Sequence, residues 1–295
     1  MVEGNYVNRR RYKVASMFKI GIMQGRLLPW YKNNYQSHPV NYWESEFYIA
    51  KDLGFNSIEF IYDYSESTQN PLSSKDGINH IKTLIESTDV EVNSICADYF
   101  MEAPFHSENQ HHSEKVLIQL INSSKKINVK DIVIPCVDQS SLKSKEDIDK
   151  LVTSMTKILR IAEDAEIIIN IETDMDPNSI KDFLQRFTSN NIKINYDSGN
   201  SASMGYDINQ EFDSYGRFIS DIHIKDRLLN GESVFLGTGD AKLKTLIQLI
   251  KKFKLNKQLI MQASRKRDYV EDLSNVCAQK KYLENIIKEV ENEES

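Results

Sequence analysis

Glu172, Asp197, His223 and Gln262 stand at intervals of 25, 26 and 39 residues. Each falls at or near the end of a short apolar run: EIIINIE (166–172), IKINYD (192–197), ISDIHIK (219–225) and QLIMQ (258–262). If these runs are consecutive strands of one sheet, the four side chains share one arc of its edge. Two carboxylates, an imidazole and an amide oxygen make an O/N donor set suited to one divalent ion such as Mn²⁺, Mg²⁺, Co²⁺ or Zn²⁺. Taken singly, each has a plainer reading. A polar residue after a strand can cap the next helix or solvate a rim, and the imidazole of Ile222-His223-Ile224 can be a packed core group. Their conjunction on successive runs favours the metal.

The elements that must position them alternate along the whole chain. Apolar runs also occur at 18–23, 57–61, 90–96 and 131–135, with Pro135 expected to end its ladder. Helical patterns follow at about 43–53, 75–87, 114–127, 144–162, 177–187, 209–217, 242–253 and 268–291. Eight strand–helix units with near-continuous apolar strands predict an α/β fold, a single (β/α)8 TIM barrel over residues 17–295. An open doubly wound sheet loses its usual support, because no G-x-G-x-x-G turn follows the first run. In such a barrel the chemistry sits where strands end. That adds Gln24, Arg26, Glu59, Asp98 and Asp138 to the residues of interest.

Several of these segments resemble a known family. They are KIGIMQGRL (19–27), Ile171-Glu172, NYDSGN (195–200), HIKDR (223–227) and LGTGD (236–240). Together they resemble the xylose isomerase-like TIM barrel superfamily. Within it they are most similar to the bacterial sugar phosphate isomerase/epimerase group, which includes L-ribulose-5-phosphate 3-epimerase and hexulose-phosphate isomerases. The resemblance implies a divalent-metal-dependent sugar or sugar-phosphate isomerase or epimerase acting through an enediolate. It makes Glu172 both metal ligand and acid/base, Asp197 and His223 ligands, and Asn200, Lys225 and Arg227 substrate neighbours. Gln24, Arg26, Glu59, Asp98 and Arg265 complete the expected substrate contacts.

Gln262 departs from the pattern, since the family's eighth strand usually supplies a second Glu. A Gln oxygen can bind metal but exchanges no proton. Three readings follow: a one-base aldose–ketose isomerase, an epimerase whose second acid is Glu59 or Asp98, or another reaction such as dehydration of a keto-polyol. Arg26, Lys225, Arg227 and Arg265 all follow strand ends and suggest an anionic substrate, unless they pair with nearby aspartates. Cys96 and Cys136 have no basic neighbour in sequence and read as packing residues.

Composition narrows the classes. The 295 residues carry a net charge of −6, which disfavours nucleic acid and anionic membranes as partners. Six His, three of them in one polar loop, are a poor match to a trizinc DNA-repair barrel. A non-catalytic sugar-binding barrel stays open, as does a homo-oligomer. Three scattered Cys and no apolar leader suit a reducing, cytoplasmic setting. Residues 1–16, with Arg9, Arg10 and Arg11, read as a loosely attached arm.

Overall fold

The computed structural model describes residues 18–255 and 257–293. The arm expected at residues 1–16 lies outside them. Eight strands form a closed parallel barrel: β1 (Ile20–Met23), β2 (Ser57–Ile61), β3 (Ser94–Cys96), β4 (Asp131–Cys136), β5 (Ile168–Thr173), β6 (Ile192–Asp197), β7 (Ile219–Ile224) and β10 (Leu259–Met261). β8 (Asp226–Arg227) and β9 (Ser233–Val234) make a small antiparallel hairpin beyond β7. β1 closes on β10, with Ile20 opposite Leu259. The principal outer helices are α1 (Ser45–Asp52), α2 (Lys75–Thr88), α4 (Gln110–Lys125), α5 (Lys145–Ala165), α6 (Pro177–Leu184), α8 (Ile208–Tyr215), α9 (Leu243–Lys252) and α10 (Tyr269–Asn292). Short α3 (Tyr99–Glu102) and α7 (Ser198–Met204) follow β3 and β6 directly.

Alternation decides which side chain goes where. Ile58 and Phe60, Ile132 and Ile134, Ile169 and Ile171, and Ile222 and Ile224 join the large apolar core that also takes in the helices. Each such side chain contributes about 1.5–3 kcal/mol when buried. Met23, Ile61, Cys96 and Ile260 form a small separate cluster. Around the same positions the strands carry buried polar groups rather than the usual apolar layers of such barrels. Asp131 accepts from Asn170 at 2.9 Å and Ser220 at 2.6 Å, and Asp221 accepts from Asn195 at 2.8 Å.

Three expectations need correction. Pro135 does not end its ladder, for β4 runs on to Cys136 with Pro135 opposite Glu172. The carbonyl of Val133 serves Ala97 on the β3 side, and two residues on, Pro135 faces the same side, beyond the last β3 pair at Cys96. Its missing N–H therefore leaves no ladder bond unmade. The strand expected at 90–96 is regular only from Ser94, although Val90 and Val92 are buried and Glu91 bridges to Ser57. The helix expected at 209–217 is preceded by α7, whose SGNSASM sequence has poor intrinsic helix propensity. Asp197 starts α7, accepting from the N–H groups of Gly199 and Asn200, both at 2.8 Å.

Candidate active site

β5, β6, β7 and the residue after β10 bring Glu172, Asp197, His223 and Gln262 to one point. Ligand atoms of Glu172, Asp197 and His223 all lie within 4.8 Å of one another. Gln262 Nε2 is 3.0 Å from His223 Nδ1, and its own N–H bonds the carbonyl of Ile224, which fixes its register on β7. All four residues are buried.

The imidazole has two distinct sides. Its Nε2 meets Glu59 Oε1 at 2.7 Å, and the other Glu59 oxygen accepts from Ser94 Oγ at 2.5 Å. Asp221 Oδ1 lies 3.5 Å from the same nitrogen. On the other side of the ring Nδ1 is met by Gln262 Nε2 at 3.0 Å and stands 3.9 Å from Asp197 Oδ2. Burial pulls the imidazolium down, but the charges of Glu59, Glu172 and Asp221 outweigh it and raise His223 to about 10. Burial, reinforced by Glu59, pushes Asp221 well above the carboxylate range. Asp221 is a member of the site that sequence reasoning missed. Its signal was there in the D-x-H spacing, which puts Asp221 and His223 on one face of β7.

Asp197 divides its two oxygens. Oδ1 caps α7, while Oδ2 is buried with no hydrogen-bond partner. Lys225 Nζ stands 3.6 Å from Oδ2. A Cβ on Gly199 would lie 2.7 Å from Cγ of Lys225, so the glycine of D-S-G-N is what lets that stem cross α7. Glu172 accepts from Asn200 Nδ2 at 2.7 Å, and Asn200 Oδ1 in turn accepts from Arg227 Nη1 at 3.1 Å. Burial raises Glu172 to about 7, with His223 opposing and Asp197 adding to the shift.

The remaining strand-end residues divide. Gln24 Oε1 accepts from the N–H of Ile61 at 2.9 Å and meets His38 Nδ1 at 3.0 Å, while its Nε2 is buried without a partner. Asp98 accepts from Gln36 Nε2 at 2.9 Å and from Cys96 Sγ at 3.1 Å, and burial raises its carboxyl. Glu59 was expected to touch substrate. Instead it is fully buried, with both oxygens engaged by Ser94 and His223. Arg265 was also expected there, but it pairs with Asp272 at 2.8 Å and reaches the carbonyl of Leu28 at 2.5 Å. Arg26 gives Nη1 to the carbonyl of Tyr35 and Nη2 to Gln36. Arg227 gives Nε and Nη2 to the carbonyl of Gly231 besides holding Asn200. The backbone of LGTGD and the residue after it serves Asp226, which accepts from Gly237, Gly239 and Ala241 at 2.8, 2.9 and 3.0 Å. That carboxylate is structural.

The donor set meets what a divalent cation requires. Two buried carboxylates share a small volume, one oxygen of Asp197 lacks any hydrogen bond, and His223 Nδ1, able to ligate a metal once deprotonated, stands 3.9 Å from it. Among the described residues no helix is long and apolar enough to cross a membrane.

The family model of the xylose isomerase-like TIM barrel matches residues 47–279. No curated protein matches the sequence. A solved xylose isomerase domain protein from Planctomyces limnophilus superposes with a TM-score of 0.75 at 15% identity, covering 93% of this chain and 99% of that one. An L-ribulose 3-epimerase gives 0.72 at 13% identity, covering 94% and 96%. A D-psicose 3-epimerase from Clostridium cellulolyticum H10, solved with D-tagatose, gives 0.70 at 14% identity, covering 92% and 99%. At these identities the likeness is one of fold.

Proposed function

The chain belongs to the xylose isomerase-like TIM barrel family, and we propose that it is a divalent-metal-dependent sugar isomerase or epimerase that moves a proton at the carbon beside a carbonyl. The observation that carries this reading is Oδ2 of Asp197, buried without a hydrogen bond beside His223 Nδ1 and within the cluster that includes Glu172. Glu172, Asp197, His223 and Gln262 would hold the ion, of the Mn²⁺, Mg²⁺, Co²⁺ or Zn²⁺ class. Once bound, such an ion supplies Lewis-acid stabilisation of negative charge on adjacent substrate oxygens. The chain's own residues do the rest. Glu172 takes the proton from carbon and returns it. Burial alone favours the protonated form of its carboxyl, and a bound cation would favour the carboxylate, the form that accepts a proton. Asn200, itself fixed by Arg227, keeps one oxygen of Glu172 oriented so that the other is free to work.

An isomerase can return the same proton to the neighbouring carbon and needs one base. Gln262 leaves no carboxylate at the β10 position, which favours this reaction. Epimerisation needs an acid on the opposite face. Of the two candidates, Glu59 is sealed against His223, so Asp98 is the group that would serve. The neighbours named as ketose 3-epimerases support a sugar as the substrate class. The test is metal analysis together with incubation of ketoses in D₂O, read by NMR after removal of the metal. One ion per chain and deuterium entering beside the carbonyl are expected. Three zinc ions per chain, or no ion and no exchange, would overturn the proposal.

A further inference from the structure

Beyond β2 and β3 lies a polar cavity of about 260 Å³, with Gln36, Asp63, Tyr64, Glu66 and Asp98 in its lining. At roughly 30 Å³ per water it has room for about eight or nine waters, or for several hydroxyl-bearing carbons. It adjoins the metal cluster through Asp98, whose charge is felt by both Glu172 and His223. Its wall combines planar polar groups with the half-exposed ring of Tyr64, which packs tilted on Tyr99 at 5.0 Å between centroids. Lys32, a cation of the lining, pairs with Glu66 at 2.8 Å. Burial, then the neighbouring Asp98, hold Asp63 up to about 7, as happens where negative charge is already crowded.

The cations that once suggested an anionic substrate are meanwhile engaged. Arg227 and Arg265 spend their N–H groups on backbone carbonyls, Asn200 and Asp272, and Arg26 gives Nη1 and Nη2 to the carbonyl of Tyr35 and to Gln36, while its Nε is buried without a hydrogen bond. Lys225 faces Asp197. The larger cavity of about 790 Å³ between the N-terminal end of α5 and α6 sets three cations, Lys143, Lys145 and Arg186, among three aspartates. Lys145 and Arg186 there pair with Asp149, and Asp174, Asp176 and Asp182 line it as well.

We infer that the substrate is an unphosphorylated sugar whose hydroxyls remote from the reacting carbon lie in the β2–β3 cavity, against Gln36 and Asp63, with a C–H face on Tyr64. This rests on the reading of the site as a sugar isomerase or epimerase. Carboxylates and amides accept and donate to hydroxyls, and a phenol ring covers the apolar face of a sugar ring or chain. A phosphate dianion in the same space would meet four carboxyl groups, those of Asp63, Glu66, Asp98 and Glu102, and one cation, Lys32, already paired with Glu66.

The test is calorimetric binding of free ketopentoses and ketohexoses, and of their phosphate esters, to the metal-loaded full chain. A free ketose should bind at least about tenfold more tightly than its ester, a difference of about 1.4 kcal/mol. Asp63→Asn should weaken the free ketose several-fold. Glu66→Lys, which changes the local charge by two, should improve the ester. An ester that binds more tightly than its free sugar overturns the inference. So does unchanged ketose affinity in Asp63→Asn whose circular dichroism matches the native protein. Deuterium exchange is read separately. Exchange confined to an ester leaves the reaction standing and sinks this inference. A free ketose that binds through Asp63 without exchange does the reverse.

Discussion

Replacing Glu172 by Gln removes the one carboxylate proposed to move the proton and changes almost nothing else. The amide oxygen can still accept from Asn200 Nδ2, now 2.7 Å from Glu172 Oε1, so the link to Arg227 survives. Burial already raises Glu172 to about 7, so the neutral amide relieves a charge the site holds at a cost. The variant should therefore melt no lower than the native protein without metal. A positioned acid/base contributes about 10²–10⁴-fold, so kcat for solvent exchange should fall by that factor. That corresponds to about 3–5 kcal/mol of barrier, at 1.36 kcal/mol per tenfold. The assay is deuterium uptake by a bound ketose at metal concentrations raised until the variant is saturated, since a lost ligand charge also weakens the ion. Exchange within about threefold of native under those conditions would refute the reasoning, because no other carboxylate at this position on the barrel could replace Glu172 without rearrangement.

The barrel was legible in the sequence because both of its periods are strong. Runs such as IKINYD and ISDIHIK alternate with helices whose apolar faces recur at helical spacing, and Ser144 with Asp147 marks the start of α5 as a capping box. The order of strands then brings Glu172, Asp197, His223 and Gln262 into one cluster without further information. What stayed hidden depends on depth and on partners, which sequence position does not encode. Glu59 and Asp98 end neighbouring strands and look alike in one dimension. In the fold Glu59 lies beneath His223, whereas Asp98 lines a cavity. Arg265 reads as an active-site cation until Asp272, seven residues on and one turn into α10, takes its guanidinium. Helix α7 was hidden for another reason. Its Ser- and Gly-rich sequence is poorly helical by itself, and the Asp197 cap with tertiary contacts overrides that preference.

Four further outcomes follow from the same geometry. Glu59→Gln should lower metal affinity by about 10–100-fold in a calorimetric titration, because the charge behind His223 Nε2 is lost; native affinity would remove Glu59 from any positioning role. Gly199→Ala should destabilise the fold by about 1–3 kcal/mol, read by urea unfolding, because the new methyl meets the Lys225 stem. Glu46 is buried and accepts from the N–H groups of Gly25 and Leu27, and burial holds its carboxyl at about 7 rather than 4.5. The folded state thus binds that proton more tightly, so its contribution is full below about pH 4.5 and is lost as pH rises through about 7, on the order of 3 kcal/mol. Glu46→Gln should flatten the fall in melting temperature over that window, and an unchanged slope would show that other groups set it. Gln262→Glu, last, adds a proton-exchanging carboxylate next to His223 Nδ1, where Glu172 and Asp197 already crowd the space. Without metal the extra like charge should lower the melting temperature. With metal the sign reverses, because the new charge attracts the ion, and affinity should rise by about tenfold. If the native protein is a one-base isomerase, the variant should also form product inverted at the adjacent carbon, visible by NMR, since the opposite face of the substrate now has an acid. Metal affinity and stereochemistry that both match the native protein would mean that Gln262 stands beside His223 without belonging to the metal site.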